Sequence, residues 1–524
     1  MGGHLTPAVA LIGFMGAGKS TAARAVADAL GAEAVDVDRE IEGRLGHRIE
    51  QIFARDGEGA FRAAEERITL ELLAQEASRR GPDGRAARRV LALGGGAIGS
   101  AAVREALRGH LVVWLDVDPE TAWARCGEGS RPLAADRERF VRLHAEREPL
   151  YAAAADVIVG HQASRSMAAV LAAHEGVPDR VTMLWASTAS GDHPAYVGPG
   201  LLGERPFWPA TVAGRRFVVS DYNAARLYGD RLGAVDGRVT VMPGEQSKTV
   251  AHAEIVWTEL ARAGMTRADV VVALGGGVVG DLAGFCAATY QRGVRIVQVP
   301  TTLVAQVDSA YGGKTGVDLP EAKNYVGVFH QPRAVIADTD ALATLPPAEL
   351  AAGYAEVVKT ALIAGGWLWE RVRGGAGWED PNWPRIVAAC AHTKLRIVAR
   401  DERDAGLRQV LNLGHTVGHA IETVTGYATY RHGEAVALGL MAALRLSGAD
   451  DLRGEVAELL RARGLPTGRG RFDPDAVVVA TARDKKRVGS GPVPFVLLSE
   501  PGEPRPGCEV PTRDLIAAVR ELAR

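Results

Sequence analysis

Several clusters in this 524-residue chain have the residue types and spacings that chemistry requires. The first is Gly13-Phe14-Met15-Gly16-Ala17-Gly18-Lys19-Ser20, a G-x-x-x-x-G-K-[ST] run. Its glycines let backbone N–H groups face a phosphate at the positive end of a helix. Lys19 then reaches the β- and γ-phosphates, and the Ser20 hydroxyl ligates Mg²⁺. Close behind, Asp36-Val37-Asp38 is expected to set two carboxylates on the same side of an extended chain, one for the metal's water and one for a substrate hydroxyl.

A second cluster, Gly275-Gly276-Gly277-Val278 followed by Asp281, lies between a strand and a helix, where a bare backbone suits a pyrophosphate. The usual dinucleotide fingerprint is not present. A third runs from Asn412 through His415 and His419 to His432. His415 and His419 are spaced i,i+4, so on a helix both face one way, as zinc ligands do. With Glu356 upstream, spacing alone predicts a metal site in which both are ligands.

The elements that must hold these residues are strands alternating with helices. Apolar runs at 8–12, 90–93 and 111–115 flank helical patterns such as 20–30, which predicts a parallel sheet covered on both faces. Gly176 and Pro178 mark a linker after a helical stretch at 167–174. A second strand–helix series follows at 181–186, 195–197, 216–220, 239–242, 270–274 and 296–299. Beyond Pro346 the strand signals nearly stop. The expected fold class is α/β. A parallel-sheet phosphate-loop domain (1–176) comes first, then a Rossmann-like α/β domain (177–345) and an all-helical domain (346–524).

Composition narrows the function classes. The chain is 47% apolar and 24% charged with a net charge of -2, a balance that argues against nucleic-acid and membrane-surface partners. No apolar run approaches the ~18 residues of a membrane span, and Met1–Pro7 lacks a signal-peptide layout. Cys126, Cys286, Cys390 and Cys508 form no CxxC pair, which fits a reducing cytoplasm. The 61 basic residues comprise 53 Arg and only 8 Lys. The eight lysines are candidates for places where a compact, tunable cation and a planar fork are not interchangeable.

On Gly13–Ser20, Asp36, Asp38, Gly57–Arg62, Gly94–Gly96, Arg131-Pro132-Leu133 and Arg147–Tyr151, about the first 170 residues resemble shikimate kinase. The resemblance implies ATP with Mg²⁺ on Gly16, Ala17, Gly18, Lys19, Ser20 and Thr21, with Asp36 serving the metal and Arg125 and Arg131 in a lid. Shikimate would lie on Asp38, Arg62, Gly95, Gly96 and Arg147, the two arginines taking its carboxylate. Lys19, Asp38 and Arg131 would be catalytic.

Residues 180–500 resemble 3-dehydroquinate synthase. The matching segments are 244–248, 275–285, 308–316, Lys323-Asn324, 353–359, 412–419, His432-Gly433-Glu434 and Asp484-Lys485-Lys486. This implies Zn²⁺ or Co²⁺ on Glu356, His415 and His432, with His419 beside the substrate, which already revises half of the spacing argument. NAD⁺ would meet Asp221, Asn223, Glu245, Lys248, Gly275, Gly276, Gly277, Val278, Asp281, Thr301 and Thr302. The substrate, 3-deoxy-arabino-heptulosonate 7-phosphate, would meet Asp308, Lys314, Lys323, Lys359, Lys394, Arg408, Asn412, His419 and Lys485 or Lys486, with Arg292 on its phosphate. Lys314, Lys359, Lys394, Arg408, Asn412 and His419 would be catalytic. The expectation is a bifunctional enzyme of aromatic amino-acid biosynthesis, a possible homodimer through the synthase module. Two alternatives stay open: a sister sugar-phosphate cyclase in the second module, and a nucleotide-binding regulator without turnover in the first.

Overall fold

The computed structural model describes residues 8–76, 89–126, 136–160, 162, 166–320, 322–481 and 493–524. Arg131, Lys485 and Lys486 lie outside them. Two compact units form: one reaches to Ser187 and includes Pro209–Thr211, and the other comprises Thr188–Trp208 and Val212–Arg524. No helix of the described residues is long and apolar enough to cross a membrane.

In the first unit the chain runs β1 (Val9–Ile12), α1 (Lys19–Leu30), β2 (Glu33–Asp36), α2 (Val37–Leu45), α3 (Ile49–Glu76), β3 (Arg89–Ala92) and α4 (Ala101–Leu107). It continues through β4 (Leu111–Asp116), α5 (Pro119–Cys126), α6 (Arg137–Ala154), β5 (Val157–Gly160), α7 (Met167–His174) and β6 (Thr182–Ala186). The strands pair in parallel in the order β2-β3-β1-β4-β5-β6. Every residue of β1 and β4 is buried, as a parallel sheet covered on both faces demands. Because β6 pairs with β5, Val157 opposite Met183, this unit extends past the linker expected at 176.

The second unit opens with β7 (His193–Gly198), β8 (Arg216–Asp221), α8 (Tyr222–Tyr228), β9 (Gly237–Val241), α9 (Val250–Arg262), β10 (Val270–Gly275), α10 (Gly277–Thr289) and β11 (Arg295–Pro300). A hairpin follows, β12 (Lys314–Leu319) and β13 (Ala322–Phe329), and then β14 (Ala334–Asp338). The parallel order is β7-β14-β11-β10-β8-β9. After β8 the chain goes first to β9 on one side and then to β10 on the other. That reversal opens a crevice at the carboxyl ends of β8 and β10, the usual place for a ligand in such sheets.

Helices α11 (Pro347–Ala364), α12 (Gly366–Arg373), α13 (Trp383–Arg400), α14 (His415–Val424), α15 (His432–Leu446), α16 (Asp450–Ala462) and α17 (Pro474–Thr481) complete the second unit with β15 (Phe495–Leu498), β16 (Pro504–Cys508) and α18 (Thr512–Leu522). The expected all-helical region therefore also holds an antiparallel pair, β15 and β16, in which Phe495, Val496 and Leu498 are buried. Two glycines set the depth at which α15 packs. A Cβ at Gly433 would overlap the carbonyl oxygen of Ala352 on α11, and one at Gly439 would overlap that of Gly414, the residue capping α14. Backbone contact at both points draws together the first residues of α14 and α15, His415 and His432, and the middle of α11, Glu356.

Gly433→Ala should therefore cost about 1–3 kcal/mol by overpacking, lowering the urea midpoint with the slope unchanged. An unaltered midpoint would mean that α15 shifts freely and that the glycine sets nothing.

Candidate active sites

In the first unit the phosphate loop is shaped by three left-handed or extended-positive glycines. Gly13 (φ 147) would place a Cβ 2.6 Å from the carbonyl oxygen of Leu115, and Gly16 (φ 80) would place one 2.7 Å from that of Ala122. Gly18 (φ 89) caps α1 without any side chain on its N–H groups, which leaves that helix end open to an anion. Lys19 Nζ donates to the carbonyls of Gly13 (2.8 Å) and Phe14 (3.1 Å), so the ammonium lies along the loop it would neutralise. Arg125, near the end of α5, donates to the carbonyl of Gly16 at 3.2 Å.

Opposite the loop, Gly94–Gly96 follow β3 and form a floor without side chains. A Cβ at Gly94 would fall 2.7 Å from Asp38 Oδ1, and one at Gly96 would overlap the Arg62 guanidinium. The Gly95 carbonyl accepts from Arg147 Nη1 (3.0 Å) and from the Tyr151 hydroxyl (2.6 Å). Asp38, Arg62, Gly95, Gly96 and Arg147 thus come together as expected. The extended Asp36-Val37-Asp38 does not occur. Asp36 is the N-cap of α2, accepting from the N–H groups of Asp38 (3.1 Å) and Arg39 (3.4 Å), and Asp38 already lies in the first helical turn. A short carboxylate after a strand satisfies a helix start more readily than it continues an extended chain. Sequence reading missed Glu65, whose buried carboxylate lies 2.5 Å from Arg62 Nη1. Burial pushes its carboxyl up, against the pull of Arg62. The i,i+3 spacing from Arg62 was the available signal.

In the second unit a cavity of about 1440 Å³ opens at the carboxyl ends of β8, β10 and β11. Asp221, Asn223, Glu245, Lys248, Gly276, Gly277, Val278, Asp281, Thr301, Thr302, Asp308, Lys323, His419, Glu422 and His432 are among its walls, with Gly275 ending β10 beside them. Asp221 caps α8, accepting from Asn223 N–H at 2.8 Å. A Cβ at Gly276 would come within 2.9 Å of Thr302, and one at Gly277 within 3.0 Å of Ser309 Oγ. Helix α10 starts at this cradle with no side-chain cap, so the donor set fits a pyrophosphate. Lys248 is buried between Glu245 (2.8 Å), Asp281 (3.4 Å) and Asp318 (3.7 Å). Burial opposes the charge on Glu245, but Lys248 and Lys323 outweigh it and hold the carboxyl at about 2. At Asp281 burial wins over Lys248 and lifts the carboxyl to about 6.

Deeper in, the buried Glu356 of α11 faces His415 Nε2 at 3.5 Å and His432 Nε2 at 3.3 Å, both measured to Oε1. Neither of its carboxylate oxygens has a hydrogen-bond donor in good geometry, although Lys359 Nζ stands 2.5 Å from Oε2. The ligand atoms of Glu356, His415 and His432 lie within 4.8 Å of one another. One carboxylate and two imidazoles, with His432 also lining the cavity, fit a catalytic divalent metal such as zinc. His419 is not in that set. It groups instead with Glu422 and His432, which corrects the expectation from spacing that His415 and His419 are joint ligands. One turn along α14 keeps the two rings on a common face, 5.1 Å apart, but carries His419 away from Glu356.

Asp308 ties the neighbouring cations together. Lys394 Nζ lies 2.9 Å and Lys359 Nζ 3.7 Å from its Oδ1. Burial resists its ionisation, yet the two ammoniums hold it well below the usual range. Burial also acts on Lys394, whose ammonium falls to about 8 despite Asp308.

Other expected residues are placed differently. Lys314 pairs with Asp404 on the β12 side. The buried Arg408 donates to the carbonyls of Glu402 (2.6 Å) and Gly312 (3.0 Å), so its guanidinium props the loop before β12. Asn412 ends a short 3-10 turn before α14. Arg292 is not brought to the cavity: it is exposed in the turn before β11. That strand's other end carries Thr301, about 20 Å away at ~3.3 Å per residue.

A phosphate-loop domain, followed by a dinucleotide-type crevice beside a Glu-His-His donor set, defines a two-module chain: a nucleotide-dependent phosphotransferase and a metal-dependent cyclase or dehydrogenase. Residues 15–175 match the shikimate kinase family, residues 238–352 match 3-dehydroquinate synthase N-terminal, and residues 353–487 match 3-dehydroquinate synthase C-terminal. The chain is 47% identical over 337 residues to 3-dehydroquinate synthase of Halorhodospira halophila, which covers 61% of this chain and 93% of the relative. The corresponding protein of Symbiobacterium thermophilum is 44% identical over 334 residues, with 59% and 92% covered. Among solved structures, the second unit is similar to 2-epi-5-epi-valiolone synthase from Streptomyces hygroscopicus with NAD⁺ and Zn²⁺ bound. The TM-score is 0.58 and the identity 26%, with 63% of this chain and 96% of that chain covered. The chain belongs to the 3-dehydroquinate synthase family and carries a shikimate kinase domain ahead of the synthase module.

The position of Lys394 has a pH consequence. Its ammonium is the charged form, so any attraction it exerts on a bound anion would be present below about 8 and lost as pH rises through that value. The synthase kcat/KM, which reports the free enzyme, should fall on this limb, and Lys394→Arg should flatten it. A limb that survives the substitution would assign it to another group.

Proposed function

We propose that the chain is a bifunctional shikimate-pathway enzyme. Its first module phosphorylates shikimate to shikimate 3-phosphate with ATP and Mg²⁺. Its second cyclises 3-deoxy-arabino-heptulosonate 7-phosphate to 3-dehydroquinate with release of phosphate, using NAD⁺ and Zn²⁺ or Co²⁺. The observation that carries the synthase reading is the adjacency of two features, the Glu356–His415–His432 donor set and Asp308 with its two buried lysines, joined through Lys359 and meeting the cavity at His432 and Asp308.

In the kinase, Lys19 neutralises the β- and γ-phosphates, with Gly16–Thr21 wrapping them and Ser20 and Asp36 serving Mg²⁺. Arg62 and Arg147 grip the substrate carboxylate bidentately. Asp38 accepts from the attacking hydroxyl. Arg125 and Arg131 meet the nucleotide phosphates. Positioning and charge neutralisation are most of what phosphoryl transfer asks of a protein.

In the synthase, Asp221, Asn223, Glu245, Lys248, Gly275–Val278, Asp281, Thr301 and Thr302 hold the dinucleotide. Glu356, His415 and His432 hold the metal. When bound, these two groups supply hydride acceptance and return and the polarisation of the substrate hydroxyl. The protein's own part is electrostatic: Lys314, Lys323, Lys359, Lys394 and one of Lys485 and Lys486 meet the anionic groups and the transient carbonyl. Asp308, Arg408 and Asn412 orient them. His419 borders the substrate and moves its protons. Arg292 lies outside this cavity and is given no role in it.

A structure of 2-deoxy-scyllo-inosose synthase with carbaglucose-6-phosphate, NAD⁺ and Co²⁺ is also similar to this chain, at 25% identity and a TM-score of 0.57, covering 65% of this chain and all of the other. Such sister cyclases share the fold. The 44–47% identity to dehydroquinate synthases favours the dehydroquinate product. The regulatory alternative for the first module is disfavoured by the filled Asp38, Arg62 and Arg147 positions around Gly94–Gly96.

Incubation with the heptulosonate phosphate, NAD⁺ and Zn²⁺ should release phosphate and yield 3-dehydroquinate. Any other carbocycle would sink the synthase assignment. Lys19→Met should abolish shikimate-dependent ATP consumption and leave phosphate release by the synthase unchanged. A parallel fall in synthase activity would instead favour a regulatory first module.

A further inference from the structure

The two histidines proposed as metal ligands have their second nitrogens fixed by different means. A neutral imidazole has one N–H and one lone pair, so a ligand that offers Nε2 to a metal must keep its proton on Nδ1. His415 Nδ1 lies 3.2 Å from the carbonyl oxygen of Leu413, a neutral acceptor in its own chain segment. His432 Nδ1 lies 3.5 Å from Oε2 of Glu422. Glu422 is buried, 3% exposed, two turns along α14 from His415.

The other oxygen of Glu422 has a separate task. Oε1 lies 3.5 Å from Lys323 Nζ, which extends from β13. That ammonium is also 3.5 Å from Glu245, at the edge of the dinucleotide crevice, and sits 4.3 Å above the Tyr427 ring. Glu422 is therefore the carboxylate between a metal ligand and a cation of the dinucleotide crevice. A second donor set, His419 with Glu422 and His432, is close enough to form a ligand group of its own. It would spend His432 Nδ1 and place a metal ion against the Lys323 ammonium, which disfavours it.

We infer that Glu422 is a positioning residue: it holds the proton on His432 Nδ1 so that Nε2 faces the metal, and it anchors Lys323 between the metal site and the dinucleotide crevice. This rests on the proposed metal role of Glu356, His415 and His432. Carboxylate partners of this kind typically change metal affinity 10–100-fold when removed.

The test is the zinc affinity of the full-length protein, measured by competition with a chromogenic chelator without substrate or dinucleotide. Glu422→Ala should weaken binding by roughly 10–100-fold. Glu422→Gln, which keeps an oxygen to accept the Nδ1 proton, should lose markedly less. In a His432→Ala background, Glu422→Ala should add no further loss, because the residue acts through that ring. Should the alanine variant fail to fold, Glu422→Asp, which withdraws the carboxylate by one methylene, carries the same comparison. Equal affinity in the wild type and Glu422→Ala, or a full additional loss in the His432→Ala background, would overturn the role. A loss in Glu422→Gln as deep as in the alanine variant, matched by His419→Ala, would make Glu422 a ligand and also overturn it. Failure of the substrate assignment reads separately: an enzyme with this zinc pattern that makes another carbocycle loses the proposed product and keeps the positioning residue.

Discussion

A carboxylate with no access to water has to be surrounded by positive charge or lose its ionisation. Glu356 is that carboxylate, with 0% exposure in the middle of α11. Burial works against its charge, while Lys359, His415 and His432 together hold its carboxyl well below the ordinary range. Much of the second unit can be read as the means of delivering those partners. Lys359 comes from the next turn of the same helix. The two histidines come from the first turns of α14 and α15, which reach Glu356 because Gly433 and Gly439 let backbones touch. Close helix contact and metal-site geometry are one constraint here. A methyl group at either glycine moves a ligand as well as a helix.

The same economy of side chains recurs where each sheet meets its ligand. In both units a strand ends in glycines and a helix begins without a side-chain cap: Gly18 before α1, and Gly276 before α10. Each leaves helix N–H groups facing outward at the point where the sheet order reverses. Around those bare backbones stand charges that cannot move far. Arg62 is pinned by Glu65, and Lys248 by three carboxylates. The preorganisation that phosphate chemistry needs is thus built before any ligand arrives.

What the sequence made legible was local. The phosphate loop, the triple glycine and the histidine run all signal through neighbours within one or two turns, and strands such as 270–275 read as unbroken apolar runs because both faces are covered. Residues whose meaning depends on distant partners were missed or misplaced. Glu422 and Asp404 are ordinary helix and loop acids until His432, Lys323 and Lys314 arrive from other elements. Val37 and Asp38 were read as extended chain, because the Asx cap that Asp36 forms is decided by the turn that follows it. The β12–β13 hairpin carries two of the lysines but bulges between Val317 and Leu319, which blurs its alternation. Spacing put His419 on the metal, and only the positions of α11 and α15 separate it from the ligands.

The distribution of cations follows from the same physics. Arginines make mostly half-exposed pairs, such as Arg44 with Glu40 and Glu71, or Arg431 with Glu349, where a delocalised, weakly hydrated cation serves well. Lysine is kept where a single ammonium must fit among several carboxylates or be tuned by burial. Lys248, Lys359 and Lys394 are all at least nine-tenths buried, and Asp308 links two of them. Within the second unit Arg408 is the instructive exception: an arginine in the buried site, its fork spent on two backbone carbonyls. A planar fork that has found two fixed acceptors is a brace, whereas a lysine beside Asp308 can exchange that partner for a substrate anion. In the second unit the lysines beside Asp308 are therefore the cations that wait for a ligand and Arg408 one that holds the fold, whereas in the first unit Arg62 and Arg147 stand at the ligand floor themselves.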